Sequence, residues 1–476
     1  MDTPFIKTLR SPNGHYCYDV NTNSIVRISK HLYSALNESW TVDELISDSR
    51  TQSEAKLLIS QGLLSSHRVS NIRHPYTDDL KYYLNNKIDQ MTLQLTQNCN
   101  LRCSYCPYTQ MNKQQRGFSS NTMTKEIGEM AIDFLREHSS DNEKVTIGFY
   151  GGEPLINFKL IQHLTQYAKS ALLGKKVSYT ITTNGTLLTP RILKFLHEND
   201  CSLLLSIDGP ENIQNKNRFF ANGKGSFARV YENLRKLRMS FGSELSHMIS
   251  INMVMDPSND FDQINHLFAD PLFKDIPIQA VLLDDEFSDH KNKVSRDFLD
   301  KYIYQEALAS LSFLDVVEDL QVSPIFLTFL GKLKGTEQQM RGKRSKLPDV
   351  GAPAGPCIPG QRRLFVDYRG NLFPCERVSE TSACMRIGNL SSGFNYVAAE
   401  RLLNVATLIA DRCKDCFAFN SCISCCKVAD DNGSLSAEKL LKGCAMSKEI
   451  VLQDLEESVL IKEAYSVYGK SKRYGN

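Results

Sequence analysis

The chain has 476 residues, 41% apolar and 23% charged, with 56 basic and 54 acidic side chains for a net charge of +2. That length supports two or three domains with proper cores, and the near-neutral balance gives no basis for general nucleic-acid binding, which favours strongly basic surfaces. No apolar run is long enough to span a bilayer, and the opening MDTPFIKTLRSPNG lacks the layout of a signal peptide, so a cytoplasmic protein with no membrane partner is expected.

Residues 1–75 read as a small unit of their own. Two strand-like runs, 15-HYCYDV-20 and 24-SIVRIS-29, flank the turn-forming Asn21-Thr22-Asn23. Three helical patterns follow, at 30–38, 41–48 and 53–64, and Thr41 with Glu44 forms a capping-box signal for the second. Strands followed by three helices resemble a winged-helix module, although no basic recognition helix is present.

From residue 90 strands and helices alternate. Expected strands are 91–96, 145–151, 177–185, 202–209 and 249–255, with helices at 124–138, 157–172, 190–200 and 226–239 between them. This alternation predicts a parallel sheet with helices packed outside it, and in such folds the chemistry sits at the carboxyl ends of the strands. Polar stretches at 284–297 and 333–356 read as linkers or loops, and 451–476 is expected to be a helical tail.

Fourteen cysteines are many for a chain without secretory features, and twelve of them are clustered. Cys17 and Cys201 stand alone and read as small buried apolar residues. Three others fall in 99-CNLRCSYCPY-108, spaced C-x3-C-x2-C directly after the first strand. A structural zinc normally takes four protein ligands, and a four-iron cluster has four corners, so three thiols leave a metal site one ligand short. On spacing alone a cluster with an open iron, a zinc site completed from a distance, and chance all stand. Each following strand then ends in a motif: 150-YGGEP-154, 182-TTNG-185 and 206-SIDGP-210.

The C-x3-C-x2-C loop and these three motifs, in this order over residues 90–255, resemble the radical S-adenosylmethionine (SAM) enzymes. The resemblance implies a partial (β/α)6-type TIM barrel over 90–330. It further implies a [4Fe–4S] cluster on Cys99, Cys103 and Cys106, with SAM bound at the open iron. By position, Tyr105 would pack near adenine, and Gly151, Gly152 and Glu153 match the methionine-binding motif. Thr183, Asn184, Ser206 and Asp208 are further candidates for cofactor contact. Arg218 either pairs with the methionyl carboxylate or is a solvated surface arginine.

The tail carries nine cysteines, from Cys357 to Cys444. Seven of them, C357-x12-G370-x4-C375, then C413-x2-C416-x5-C422-x3-C426, then C444, resemble the cysteine-rich SPASM region of radical SAM peptide-modifying enzymes. Over 350–450 the resemblance implies an iron–sulfur domain with two auxiliary [4Fe–4S] clusters, making three in all. Cys357, Cys375 and Cys426 would serve the first cluster, and Cys413, Cys416, Cys422 and Cys444 the second. Some relatives have a further cysteine where this chain has Arg363. The first cluster then either has an open iron or recruits Cys384 or Cys425.

The same resemblance points to a ribosomally made precursor peptide as substrate, with an external one-electron reductant. Residues 1–75 resemble the winged-helix-like module that binds leader peptides. The expected activity is thioether crosslinking from a cysteine sulfur to carbon. Alternatives are carbon–carbon crosslinking and anaerobic sulfatase maturation, in which Glu376 would stand where those enzymes carry a catalytic aspartate. From another class, a zinc-stabilised DNA-binding protein is the remaining reading.

Overall fold

The computed structural model describes residues 3–109, 115–283, 293–314, 316–318, 322–331, 333, 346–353 and 357–468. Most of the two expected linkers, and the end of the expected tail, lie outside the described residues.

Three antiparallel strands open the chain: β1 (Ile6–Ser11), β2 (Gly14–Asp19) and β3 (Ser24–Ile28), in the order β1-β2-β3. The reading of the sequence had two strands here; β1, with the mixed sequence IKTLRS, is the addition. Helices α1 (Lys30–Asn37), α2 (Val42–Ser47) and α3 (Gln52–Ser60) follow. Thr41 and Glu44 close both halves of the capping box on α2. Alternate residues of β2 serve two cores, as the pleat requires. Cys17 joins Leu32, Leu45 and Leu58 in a core of the unit's own, while Tyr16 and Tyr18 pack with Val405, Ile409, Phe419 and Val451 of the tail. The N-terminal unit therefore shares an apolar core with the cysteine-rich region.

A short strand, β4 (Asn71–Ile72), and a helix, α4 (Leu80–Asn86), lead into the main sheet. Its strands β5 (Gln90–Thr96), β6 (Lys144–Gly151), β7 (Lys176–Thr183), β8 (Cys201–Ser206), β9 (Ile249–Met255) and β10 (Ile278–Leu282) are all parallel, each beside its predecessor. Between them lie α5 (Lys125–Glu137), α6 (Phe158–Ala171), α7 (Pro190–Glu198), α8 (Glu211–Asn217) and α9 (Phe227–Phe241). Thr124 and Thr189 cap α5 and α7 with their side chains. Six parallel strands joined through outer helices form the α/β sheet that the alternation predicts.

The tail continues this sheet. After β11 (Val350–Gly351), which pairs with β4, strand β12 (Leu364–Val366) lies parallel to β5, with Leu364 opposite Met91 and Val366 opposite Leu93. β13 (Asn371–Phe373) then adds on antiparallel to β12. Phe365, Leu372 and Phe373 belong to the same apolar core as Leu93 and Phe149. This junction brings the loops around Cys357 and Cys375 beside β5, the strand that leads into Cys99.

A long helix, Ala437–Tyr468, closes the described chain and returns to the N-terminal sheet, where the Tyr16 hydroxyl donates to Glu463 at 2.7 Å. No described helix is long and apolar enough to cross a membrane.

Candidate functional site

β5 ends at Thr96, and the next ten residues form a loop pinned to the segment after α8. Arg102 N donates to Phe219 O at 2.8 Å and Ser104 N to Asn217 O at 2.9 Å. Within the loop, Cys106 N donates to Cys103 O at 3.1 Å, and the Arg102 guanidinium to Cys99 O at 2.6 Å. Burial pushes the Cys99 thiol up to about 12 and that of Cys103 to about 11, and it raises Cys106 as well. Protonated thiols in this setting become ligands by exchanging protons for metal, which is how metal binding couples to pKa. No three His, Cys, Asp or Glu side chains among the described residues converge on a single-ion site; a four-iron cluster distributes its thiolates over separate irons. In donor type and number, three soft thiols on one loop fit such a cluster.

The end of β6 is stitched to this loop. Gly152 N donates to Thr96 O at 2.8 Å and Glu153 N to Asn98 O at 3.0 Å. The approach is too close for side chains: a Cβ on Gly151 would stand 2.1 Å from Thr96 O, and one on Gly152 2.2 Å from Asn98 O. Gly151 also has φ +142°, a conformation open to glycine and strained for other residues. The two glycines thus admit the backbone of the cysteine loop.

Glu153 is fully enclosed at the start of the following turn. Its carboxylate accepts from the Thr183 hydroxyl at 2.7 Å, Asn184 N at 2.8 Å and Leu155 N at 3.1 Å. Burial raises its pKa, against the pull of those hydrogen bonds. Both oxygens are engaged, so Glu153 ties the end of β6 to the end of β7. Asn184, so held, sends its amide to Asn100 Oδ1 at 2.8 Å and towards Cys99 Sγ at 3.9 Å.

Asp208 and Arg218 form the other wall. Arg218 Nε lies 2.8 Å from Asp208 Oδ2, and their side chains are 8% and 2% exposed, which removes the surface-arginine reading. The Tyr105 hydroxyl donates to the same Asp208 oxygen, and the Arg218 guanidinium stands 5.4 Å from the Tyr105 ring centre. Val254 N completes the set on Asp208 Oδ1 at 3.1 Å. Ser206 is buried at the end of β8, two residues before Asp208.

One group beside the loop escaped the reading of the sequence. The Tyr108 and Tyr150 hydroxyls lie 3.1 Å apart, and the Arg116 guanidinium covers the Tyr108 ring at 3.7 Å from its centre. Arg116 is paired with Glu380 of the tail, both 6% exposed, and Gln94 of β5 donates to Glu380 at 2.8 Å. Only the position of Tyr108 and Tyr150, each next to a recognised motif, offers a signal in the sequence.

The tail cysteines fall into separate neighbourhoods. The Cys413 thiol is pushed up to about 12 by burial and then by the thiols of Cys444, Cys416 and Cys422. Cys375 rises to about 11 through burial, with Glu376, Cys425 and Cys357 adding to it. Cys426 is raised by its hydrogen bond with Cys425, by burial, and by the nearby Cys375 and Cys357. Cys384 stands apart, with Sγ 3.3 Å from Ser382 Oγ and 3.6 Å from Asp430 Oδ1. Glu376 directs Oε1 to the Arg363 guanidinium at 2.8 Å, and its Oε2 is buried without a hydrogen-bond partner. Each neighbourhood offers thiolate donors of the type an iron–sulfur cluster takes.

Comparison with known proteins agrees with this geometry. Residues 93–270 match the model of the radical SAM superfamily. An uncharacterized protein of Methanocaldococcus jannaschii is 35% identical over 136 residues, which is 29% of this chain and 44% of that protein. The cysteine-type anaerobic sulfatase-maturating enzyme of Clostridium novyi is 33% identical over 147 residues, 29% of this chain and 37% of the relative. The matches thus span less than half the length of these two relatives. Among solved structures, native anSMEcpe with bound AdoMet and Cp18Cys peptide has the same fold, with TM-score 0.55 and 19% identity over 81% of this chain and 100% of the other. The match takes in the cysteine loop and all three strand-end motifs, which supports reading the chain as a radical SAM enzyme.

Proposed function

We propose that this enzyme is a peptide maturase that forms thioether crosslinks in a ribosomally made, cysteine-containing precursor. Three [4Fe–4S] clusters are assigned: one on Cys99, Cys103 and Cys106, one served by Cys357, Cys375 and Cys426, and one on Cys413, Cys416, Cys422 and Cys444. Cys99, Cys103 and Cys106 would hold the first cluster, and SAM bound there would supply a 5′-deoxyadenosyl radical with one electron from an external reductant. The observation that carries the reading is the N-terminal unit, whose three-stranded sheet shares a core with the cysteine-rich tail. β3 is an edge strand with no further strand paired to it among the described residues. A winged-helix-like unit of this form takes an extended leader by β-augmentation, through main-chain hydrogen bonds, and here would hold it next to the tail. That a structure of the same fold contains AdoMet and a peptide supports the substrate class.

The protein's own part is to orient the peptide and exclude competing reactions. Gly151 and Gly152 let the end of β6 lie against the cysteine loop. Tyr105, Glu153, Thr183, Asn184, Ser206, Asp208 and Arg218 shape the cofactor side. The acceptor carbon loses a hydrogen atom to the 5′-deoxyadenosyl radical. The donor cysteine loses a proton, and Glu376 Oε2 is the acceptor we assign to it, with Arg363 holding the other oxygen. The C–S bond would then form, and a cluster held by the tail cysteines would take up the one surplus electron.

A second reading, oxidation of a cysteine or serine without crosslinking, is favoured by the sulfatase-maturating relative. Anaerobic incubation with a short cysteine-rich peptide encoded beside this gene, followed by mass mapping, separates the two. Thioether formation predicts loss of two hydrogens per bond with the donor cysteine closed to alkylation. The same loss with that cysteine still alkylated means carbon–carbon bonding, and an oxidised residue without a crosslink means the second reading.

A further inference from the structure

The cysteine loop is held along one side by the segment that follows α8. Three main-chain hydrogen bonds run antiparallel between them: Ala221 N donates to Asn100 O at 3.1 Å, Arg102 N to Phe219 O at 2.8 Å and Ser104 N to Asn217 O at 2.9 Å. Ser104 and Tyr105 are the two residues that space Cys103 from Cys106. The Tyr105 hydroxyl is held by Asp208. Ser104 has a partner of its own: its hydroxyl donates to Asn217 Oδ1 at 2.6 Å.

Asn217 is buried, and the other end of its amide faces a carboxylate: Nδ2 donates to Asp256 Oδ2 at 3.3 Å. Asp256, buried as well, directly follows β9 and is itself fixed. Lys216 Nζ donates to the same Oδ2 at 2.8 Å. Ser258 donates to Oδ1 through its N at 2.9 Å and its hydroxyl at 2.6 Å. An amide has one donor end and one acceptor end, whereas a carboxylate only accepts. Asp256 therefore turns Nδ2 of Asn217 towards itself and Oδ1 towards Ser104. The end of β9 is thereby linked, through one side chain, to the middle of the cysteine loop.

We propose that Asn217, oriented by Asp256, is a positioning residue for the cysteine loop, and that this relay fixes the Cys103–Cys106 spacing on which SAM binding depends. The inference rests on the reading of Cys99, Cys103 and Cys106 as ligands of the cluster that binds SAM, and it deepens that reading. Neither Asn217 nor Asp256 lies in the cysteine loop or in the three strand-end motifs.

The test titrates SAM into the reconstituted, reduced full-length chain and follows the electron paramagnetic resonance spectrum, which changes as SAM reaches the cluster. Asn217→Asp keeps the acceptor for Ser104 but sets two carboxylates against each other. It should need about 10- to 100-fold more SAM for half the change, the range for groups that orient metal ligands. Asn217→Asp with Asp256→Asn restores a donor and an acceptor between the two positions, and should recover most of the difference. Ser104→Ala, at an exposed position, cuts the same link where the Asn217 variant does not fold, and should weaken SAM binding as well. An unchanged midpoint in Asn217→Asp or Ser104→Ala overturns the relay, as does a double variant no tighter than the single one. Lowered melting with an unchanged SAM midpoint marks a merely structural role and overturns it too. The ligand reading fails separately, before any relay variant is made: no SAM-dependent change in the parent chain, or one that persists in Cys103→Ala, overturns that reading itself.

Discussion

Arg363 and Glu376 face each other at 2.8 Å, Nη1 to Oε1, with Glu376 directly after Cys375. The pairing leaves Oε2 of Glu376 buried and without a hydrogen-bond partner, an arrangement that costs stability unless another group completes it. A donor thiol is such a group.

If Glu376 takes the donor's proton, Glu376→Gln removes the acceptor while keeping the shape. We expect peptide crosslinking to fall about 10²- to 10⁴-fold, the range for losing a positioned base, with 5′-deoxyadenosine still released. Arg363→Gln, which only loosens the carboxylate, should cost less. Equal turnover in Glu376→Gln and the parent chain, measured by mass spectrometry of the peptide, would remove Glu376 from the mechanism.

Gly152→Ala places a methyl where only 2.2 Å separates the built Cβ from Asn98 O. Backbone must move, and the backbone in question leads directly into Cys99. Iron analysis should show about four irons lost, one cluster, with the tail clusters retained. Full iron content with normal SAM binding would mean that the close approach is incidental.

Glu380→Leu leaves the Arg116 guanidinium buried and unpaired. Loss of one partner of a buried pair costs about 3–5 kcal/mol, whereas replacing both by apolar residues is often neutral. The single variant should therefore melt well below the parent, and Arg116→Met with Glu380→Leu should recover most of the difference. Equal melting of single and double variants would show that the pair is not coupled.

Leader binding is read most cleanly without mutation, because the N-terminal unit shares its core with the tail and removing it would expose Val405, Ile409 and Phe419. Adding the leader peptide should slow hydrogen exchange at the amides of Ser24–Ile28. Unchanged exchange in β3 with leader bound would move the binding site elsewhere.

Much of the parallel sheet and its helices was legible in the sequence because their periodicities are local. Strands such as 145-VTIGFYG-151 and helices such as the one starting at Lys125 carry apolar spacing that needs no partner to be recognised. β1 was missed because IKTLRS alternates weakly and becomes a strand by pairing with β2; Ile278–Leu282, mostly solvent-facing on the sheet edge, was missed as well. The cysteine spacings were visible, whereas the Arg116–Glu380 pair, 264 residues apart, was not. It exists because β12 joins the parallel sheet beside β5, a fact of tertiary pairing.

The central claim is that the radical generated at the Cys99–Cys106 loop is aimed at a peptide. The direct measurement is isotopic: the reconstituted enzyme, SAM and reductant are incubated with a precursor deuterated at its acceptor carbons. The account predicts deuterium in the released 5′-deoxyadenosine together with a crosslinked peptide. Unlabelled 5′-deoxyadenosine beside an unchanged peptide that binds the enzyme would contradict it.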